Sequence, residues 1–220
     1  DGYRMRTAGR LLYQTLRAGT FEGRTDTHRE DAGFDCYYCE TPVEASIEAG
    51  VTAVRCPDPD CAYVYGMAGA PPGVDDLDPE TLEQVGAYYR HGHLGFAREV
   101  CVTCGNRPRT EIVPVGSLPF GDPERQSCYV YRVCENCGDQ FYLSLGEALL
   151  YDPAVVSFCL ERGLDVVRTP SWEIPFAATD RSVALLSEEP LRLSLTVALA
   201  DDELELVVDG SLAVVERDRR

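Results

Sequence analysis

Residues 101–105 read CVTCG and residues 134–138 read CENCG, and these two stretches decide the fold of the second half of the chain. Each places two cysteines on one tight turn, with a glycine directly after the second cysteine. A second set lies upstream, where residues 36–39 read CYYC and residues 56–61 read CPDPDC. Eight of the ten cysteines in this 220-residue chain therefore fall into four close pairs.

The spacing of these pairs is typical of metal ligands. In a reducing compartment such as the cytoplasm, cysteines separated by two residues bind metals more often than they form disulfides. Zn²⁺ takes four thiolates in a tetrahedron, and two such turns joined by a β-hairpin make a zinc ribbon. We therefore predict two Zn²⁺ ions. The predicted ligands are Cys36, Cys39, Cys56 and Cys61 for the first site and Cys101, Cys104, Cys134 and Cys137 for the second.

Both predicted sites are expected to be structural, because four protein ligands leave no open position for water or substrate. Gly105 and Gly138 favour the second site, since a glycine after the turn adopts φ > 0 without strain. The first site has Glu40 at that position and two extra residues in its second turn. Three alternatives stay open: iron in place of zinc, pairs of buried free thiols, and pairing of turns between the two sets.

The other cysteines and the histidines carry weaker signals. Cys128 lies in a strand-like run and Cys159 in a helical pattern, and no His or Lys neighbour is evident to lower either pKa. We predict that both are buried structural thiols. His91 and His93 point to different faces of one predicted helix, which makes a poor metal site, so surface or packing roles are expected.

Around the cysteine turns, the hydrophobic pattern predicts both helices and strands. Apolar residues recur at helical spacing from Tyr3 to Ala18, and the acid-rich segment from Phe21 to Phe34 is predicted to be a linker. Asp78 followed by Pro79 predicts the start of a second long helix. Val43 to Arg55 predicts a hairpin between the first two cysteine turns.

The end of the chain has mostly strand signal. Leu191, Leu193 and Leu195 alternate with polar residues, which predicts a meander with one buried face. Leu164–Arg168 and Trp172–Ile174 are also predicted as strands. The predicted fold class is α+β: two zinc-ribbon-like β modules linked by helices, followed by helices and a C-terminal antiparallel β-meander. The expected segments are 1–34 (N-terminal helix and linker), 35–66 (first zinc ribbon), 67–98 (loop and connecting helix), 99–143 (second zinc ribbon) and 144–220 (α+β domain ending in the meander).

The charge pattern of the chain is unusual. All 20 basic residues are Arg, and 37 acidic residues bring the net charge to −17. An acid-rich chain without Lys is typical of proteins adapted to molar salt, as in halophilic archaea, because carboxylates stay hydrated and Arg forms forked ion pairs there. GC-rich codon usage is the alternative, and both effects are expected to act together. The negative charge argues against nucleic-acid binding through a broad basic face.

Several classes of function have no support in the sequence. There is no G-x-S-x-G, P-loop, G-x-G-x-x-G or HExxH motif, so we expect no enzymatic activity. Carboxylate pairs such as Asp75-Asp76 and Asp201-Asp202 lie in predicted turns, where they are more simply explained by solvation. No apolar run approaches the roughly 18 residues of a membrane span, and no signal peptide is visible, so a cytoplasmic location is expected.

The chain resembles the C-terminal region of haloarchaeal winged-helix (ArsR-like) transcription regulators. The resemblance covers nearly the whole chain. It is carried by the two modules of paired cysteines, by the CENCG turn followed by a helix and by four further stretches. These are YRMRTAGRLLYQTLRAGTF (residues 3–21), YDPAVVSFCLERGLDV (151–166), SWEI (171–174) and SEEPLRLSLTVALADDELELVVDGSLAVV (187–215). Leu191 departs from this pattern, which has an aromatic residue there.

The resemblance implies that a winged helix-turn-helix precedes Asp1 and reads DNA. This chain would then be the regulatory and dimerisation portion of the regulator, as a homodimer, with DNA contacted only through that upstream domain. The alternative is a stand-alone zinc-ribbon protein-interaction module, whose contact patch would be formed by tyrosines around the first site. These are Tyr37, Tyr38, Tyr63 and Tyr65, which can equally pack the small core of the ribbon itself.

Overall fold

The structure is a computed structural model that describes residues 6–21, 27–74, 76–118 and 120–220. It confirms the predicted α+β class, with helices and three antiparallel sheets. The helices are α1 (Thr7–Arg17), α2 (Pro79–Ala97), α3 (Leu145–Leu149), α4 (Pro153–Leu160) and α5 (Pro175–Ala178). The strands are β1 (His28–Asp35), β2 (Pro42–Glu48), β3 (Val51–Arg55), β4 (Val64–Gly69), β5 (Arg109–Pro114), β6 (Cys128–Val133), β7 (Gln140–Leu143), β8 (Val183–Glu188), β9 (Leu191–Leu199), β10 (Asp202–Asp209) and β11 (Val214–Arg219).

The chain divides into two compact units, Asp1–Val85 and Gly86–Arg220. The first unit contains a four-stranded antiparallel sheet in the order β1-β2-β3-β4. The predicted hairpin is present: β2 and β3 pair from Glu44 opposite Arg55 to Glu48 opposite Val51. The finer division into five segments stays a prediction.

Strand β1 corrects one expectation from the sequence. Residues 28–34 were assigned to a linker, but they pair with β2, from His28 opposite Ile47 to Asp31 opposite Glu44. The acidic composition that suggested a linker fits an edge strand instead, because charged side chains on an edge face water and discourage pairing with other chains. Only Ala32 of this strand is buried.

Helix α1 leaves its apolar side chains in water. The side chains of Leu11 and Leu12 are each 58% exposed and that of Leu16 is 54% exposed. None of the residues of α1 is buried. The helix begins at Thr7, and the start of the predicted helix, residues 3–5, lies outside the described residues.

The second unit contains two sheets, β5-β6-β7 and the meander β8-β9-β10-β11. Leu193, Leu195 and Val197 of β9 are buried as predicted, whereas Leu191 is half-buried and the polar Ser194 is buried as well. The β10 partners of the three buried apolar residues are also buried and apolar: Leu195 lies opposite Leu206, for example. Such cross-strand pairs are the stabilising unit of a sheet, and they fix the register of the meander.

Two predicted strands in this unit are wrong. Residues 166–168 form a turn, and Ser171–Glu173 form a short 3-10 helix. Trp172 and Ile174 are both buried, so the apolar character of this second segment reflects packing and not strand alternation. Pro170 and Pro175 flank this segment, and proline cannot donate the backbone hydrogen bonds of a central strand.

Several charged side chains are buried in the second unit. Arg90 donates to the hydroxyl of Tyr151 and to the carbonyl oxygens of Thr169 and Val166. Glu147 accepts a 2.6 Å hydrogen bond from Ser171 Oγ, and its Oε1 lies 3.3 Å from His93 Nδ1. The packing role expected for His93 is therefore supported.

No described helix is both long and apolar enough to cross a membrane.

The close packing of α3 against α5 gives a test of the fold. A Cβ added at Gly146 would overlap the carbonyl oxygen of Phe176, which is backbone and cannot rotate away. We expect Gly146→Ala to lower the free energy of unfolding by about 3 kcal/mol, the upper end of the usual cost of overpacking. Chemical denaturation of the zinc-loaded chain measures this change.

Gly116→Ala is the matched control, because nothing lies within 4 Å of the Cβ it would add. Equal stability of the two variants would contradict the described contact between α3 and α5.

Candidate metal centres

The first cysteine group is built from two turns at one end of the first sheet. Cys36 and Cys39 lie in the turn between β1 and β2, and Cys56 and Cys61 lie in the turn between β3 and β4. In the first turn the amide of Glu40 donates to the carbonyl of Cys36 at 2.9 Å. In the second, the amide of Cys56 donates at 2.8 Å to a carbonyl beyond Cys61. These bonds close each turn and bring its two sulfur atoms to one side.

The second group uses the turn before β5 and the turn between β6 and β7. The amide of Gly105 donates to the carbonyl of Cys101 at 2.8 Å, and the amide of Gly138 donates to that of Cys134 at 2.8 Å. This is the bond that Glu40 makes to Cys36, so three of the four turns share one hydrogen-bond pattern. In the remaining turn the same bond runs from the amide of Ala62 to the carbonyl of Asp58, so the pattern begins two residues after Cys56.

All four turns end on a residue with left-handed backbone. Glycine meets this need in the second group, where Gly105 and Gly138 have φ of 75° and 79°. The first group uses Glu40 and Ala62 at the same position, with φ of 61° and 46°. The glycine prediction is therefore confirmed, and the same geometry is present where the sequence has no glycine. A non-glycine residue in this region costs free energy, which the surrounding structure must offset.

The sulfur atoms are close enough for a single ion in each group. Within each group the four Sγ atoms all lie within 4.8 Å of one another. In the first group Cys36 lies 3.6 Å from Cys61 and Cys39 lies 3.4 Å from Cys56. In the second the matching distances are 3.6 Å for Cys101 to Cys137 and 3.4 Å for Cys104 to Cys134.

These distances fit a zinc ion. Four sulfur atoms at the usual Zn–S distance of about 2.3 Å form a tetrahedron whose edges are about 3.8 Å long. The structure thus brings together both predicted sets of four cysteines, and neither set exchanges members with the other. The two groups can hold metal ions and are consistent with zinc, while the ligation itself stays a prediction.

Hydrogen-bond donors surround some of the sulfur atoms. Burial opposes ionisation of Cys36, but the hydroxyl of Tyr65 at 3.1 Å and nearby amides outweigh it and lower the pKa of that thiol to about 6. The backbone amide of Asn106 and the side chain of Asn136 lower the pKa of Cys104 to about 6. Burial raises the pKa of Cys101 to about 12. Hydrogen bonds therefore lower the pKa of at least one thiol in each group.

An aromatic cluster surrounds the first group. The hydroxyl of Tyr65 accepts from the amide of Tyr37 at 2.9 Å while donating to Cys36. Its ring lies 5.3 Å from Phe34 and 4.9 Å from Tyr63. Tyr63 and Tyr65 are buried, so these two tyrosines pack the core of the ribbon and are not available as a contact patch. No sequence pattern predicts the bond from Tyr65 to sulfur, because that bond depends on the placement of β4.

Fewer apolar residues surround the second group. Phe96, Cys101 and Cys134 form one buried cluster, against which Phe141 packs. The rings of Phe96 and Phe141 meet edge to face at 5.0 Å. This packing shields one side of the sulfur cluster from water, while Cys104 and Cys137 remain exposed.

The cysteines outside the groups behave as predicted. Cys128 and Cys159 are both buried, and burial raises the pKa of each to about 11. A thiol with a raised pKa is a poor nucleophile, because the thiolate is the reactive form. Among the described residues no histidine belongs to a metal-binding group.

Fold and site together define an α+β protein with two four-cysteine groups that are compatible with zinc-ribbon modules. The chain belongs to the family described as a domain of unknown function (DUF7351), whose model matches residues 33–214. That match spans both cysteine groups and most of the meander. Comparison with curated proteins and with solved structures found no match.

The metal content of the purified chain tests the two centres. We expect about two zinc ions per chain, because each set of four thiolates completes one tetrahedral shell. Replacing the exposed ligand in Cys137→Ser should reduce the content to about one, while Cys159→Ser, which changes a buried thiol outside both groups, should leave two. Elemental analysis measures these values, and a content near zero in the unaltered chain would contradict both centres.

The hydroxyl of Tyr65 gives a finer test of the first centre. Partners that hydrogen-bond a metal ligand typically contribute 10–100-fold to metal affinity. We therefore expect Tyr65→Phe to weaken zinc binding at the first centre by about 10-fold or more, without changing the second. Competition with a chromogenic chelator resolves the two ions, so the second centre serves as the internal control. Loss of zinc from both centres alike would show that the variant had disturbed folding generally.

Proposed function

We propose that this chain is the zinc-stabilised regulatory and dimerisation portion of a haloarchaeal transcription regulator, with a winged helix-turn-helix upstream. The resemblance of its sequence to such regulators supports the proposal. So does the nature of the two cysteine groups, because four-thiolate zinc sites stabilise a fold and leave no position for catalysis. The acid-rich composition without Lys supports a cytoplasm of high salt as its location.

The observation that carries the proposal is the exposed apolar face of α1. The helix has 11 residues and a length of about 16 Å, and none of its residues is buried. Isolated helices shorter than about 12–15 residues are marginal in water, and most helices in proteins are stabilised by packing. Helix α1 therefore needs a surface to pack against. Leu12 and Leu16 lie one turn apart and form the centre of the face that would be covered.

We infer that a second copy of α1 covers this face. The charged residues of the described helix and its N-cap are all basic, namely Arg6, Arg10 and Arg17. Two such helices repel each other weakly, and two chains of net charge −17 repel more strongly. At about 1 M salt the screening length is only about 3 Å, so both repulsions fade while the apolar contact persists. The dimer is thus suited to the salt conditions that the composition indicates.

A stand-alone interaction module remains the second candidate function, and the same helix would serve it. The burial of Tyr63 and Tyr65 removes half of the aromatic patch that this alternative would use. The regulator is therefore favoured.

Sedimentation of the zinc-loaded chain in molar KCl tests the dimer. We expect the unaltered chain to sediment as a dimer and Leu12→Glu to weaken association at least about 100-fold. The factor follows because burial of a leucine is worth about 1.5–3 kcal/mol and a symmetric interface loses it twice.

Gln14→Glu is the matched control, since it adds the same charge on the opposite side of α1. Equal association of the two variants would show that the apolar face of α1 is not the interface.

Because the proposal assigns DNA contact to the upstream winged helix-turn-helix, it also predicts how this chain alone behaves with DNA. Specific binding needs base contacts from an element in a groove, together with neutralisation of phosphates. A chain of net charge −17 supplies little neutralisation, so residues 1–220 alone should show no sequence preference in a gel-shift assay with duplex DNA. A tight, sequence-selective complex would contradict the proposed role and would place DNA recognition in the ribbons or the meander.

A further inference from the structure

A cleft in the second unit is lined by three arginines, although the chain as a whole is strongly acidic. Its volume is about 270 Å³. Arg98 follows the end of α2, Arg132 lies on β6 and Arg217 lies on β11. The one carboxylate in the lining is that of Asp152, which lies 3.1 Å from Arg217. The lining therefore has an excess of positive charge.

Arg132 is the most unusual residue of this cleft. Its side chain is on the inward face of β6, and the residue is only 5% exposed. Its Nε and Nη1 atoms are buried and have no hydrogen-bond partner. These two atoms carry three of the five N–H donors of a guanidinium group. Buried donors are almost always satisfied in proteins, so an arginine left in this state indicates a missing acceptor.

The half-buried carboxylate of Glu147 does not supply that acceptor. Glu147 attracts Arg132, but no ion pair joins them among the described residues. The carboxylate of Glu147 accepts a hydrogen bond from Ser171 and lies 3.3 Å from Nδ1 of His93. Arg90, the other buried arginine, is satisfied by a hydroxyl and two carbonyl oxygens. Arg132 thus remains a buried cation with neither a carboxylate nor a carbonyl oxygen bonded to it at Nε or Nη1.

Arg98 adds a second arginine that lacks an ion-pair partner among the described residues. Its guanidinium forms no ion pair with any residue in the described part of the chain, and it lies on the rim of the cleft. Guanidinium groups match the oxygen atoms of carboxylates and phosphates with paired N–H donors. One buried and one exposed arginine therefore line the same cleft, and they are the donors that an oxyanion bound in it would use.

We propose that this cleft binds a small organic anion, with its carboxylate or phosphate group held by Arg132 and Arg98. The remaining lining includes Ala148, Leu149, Leu212 and Val214, beside which a small apolar body on the ligand can lie. The volume is slightly below the usual range of ligand pockets, so the ligand is a small molecule and not a nucleotide or a peptide. The site does not depend on the proposed role in transcription.

Benzoate and inorganic phosphate are suitable probes, because the first has an apolar body and the second has none. Their affinities for the zinc-loaded chain are measured by isothermal titration calorimetry at constant KCl concentration, with neutral benzamide as the ligand control. We expect saturable binding of benzoate and none of benzamide. Binding of phosphate as well would indicate a phosphate-bearing ligand, and binding of benzoate alone would indicate a carboxylate. Failure of both anions to bind would overturn the proposal.

Variants distinguish binding in the cleft from general effects of anions on the stability of the fold. Arg132→Met should abolish saturable binding while keeping two zinc ions per chain, and Arg98→Gln should weaken binding about tenfold. Arg168→Gln is the matched control, because its side chain is 89% exposed and lies outside the cleft lining. Equal affinity of the unaltered chain and Arg98→Gln would overturn the proposal even if Arg132→Met failed to fold. These variants change no zinc ligand and no residue of α1, so their outcome is independent of the proposed function.

Discussion

The close approach of four cysteine sulfur atoms in each group is the central constraint on the two cysteine-bearing sheets. Each group holds four sulfur atoms within 4.8 Å of one another, an arrangement that becomes stable when a divalent cation lies between them. Structural zinc contributes roughly 10–16 kcal/mol of folding free energy in small domains. If each group binds zinc as we predict, a contribution of this size would add to the burial of Val43 and Ile47 in the first sheet and of Val130 and Leu143 in the second. Four protein ligands around one ion would also leave no open position for metal catalysis.

Local and periodic patterns in the sequence predicted part of the fold and of the cysteine groups. The cysteine spacing predicted both groups of four, and the strand pattern predicted the meander, because these signals are local and periodic. Strand β1 was missed, since its acidic residues are typical of loops and only the pairing with β2 makes it a strand. The bond from Tyr65 to Cys36 was also missed, as were the buried donors of Arg132, because both depend on residues distant in the sequence. The turn at Glu40 shows that the left-handed geometry persists without the expected glycine.

Positive charge is concentrated at a few places on a chain of net charge −17. Helix α1 is entirely basic among its charged residues, and the cleft around Arg132 has three arginines and one carboxylate. Most other arginines pair with neighbouring acids, as Arg162 does with Asp202 at 2.6 Å. Arg98 and Arg132 form no ion pair among the described residues, and both line the cleft for which we propose an anion.

X-ray absorption at the zinc edge tests the central claim most directly, because it reports which atoms surround the metal and at what distance. For the purified, zinc-loaded chain the account predicts four sulfur neighbours per ion at about 2.3 Å and no nitrogen or oxygen neighbours. Nitrogen or oxygen in the first coordination shell would contradict it, since that result would mean an incomplete thiolate set and an open position. An edge from iron in place of zinc would likewise contradict the assignment of the metal.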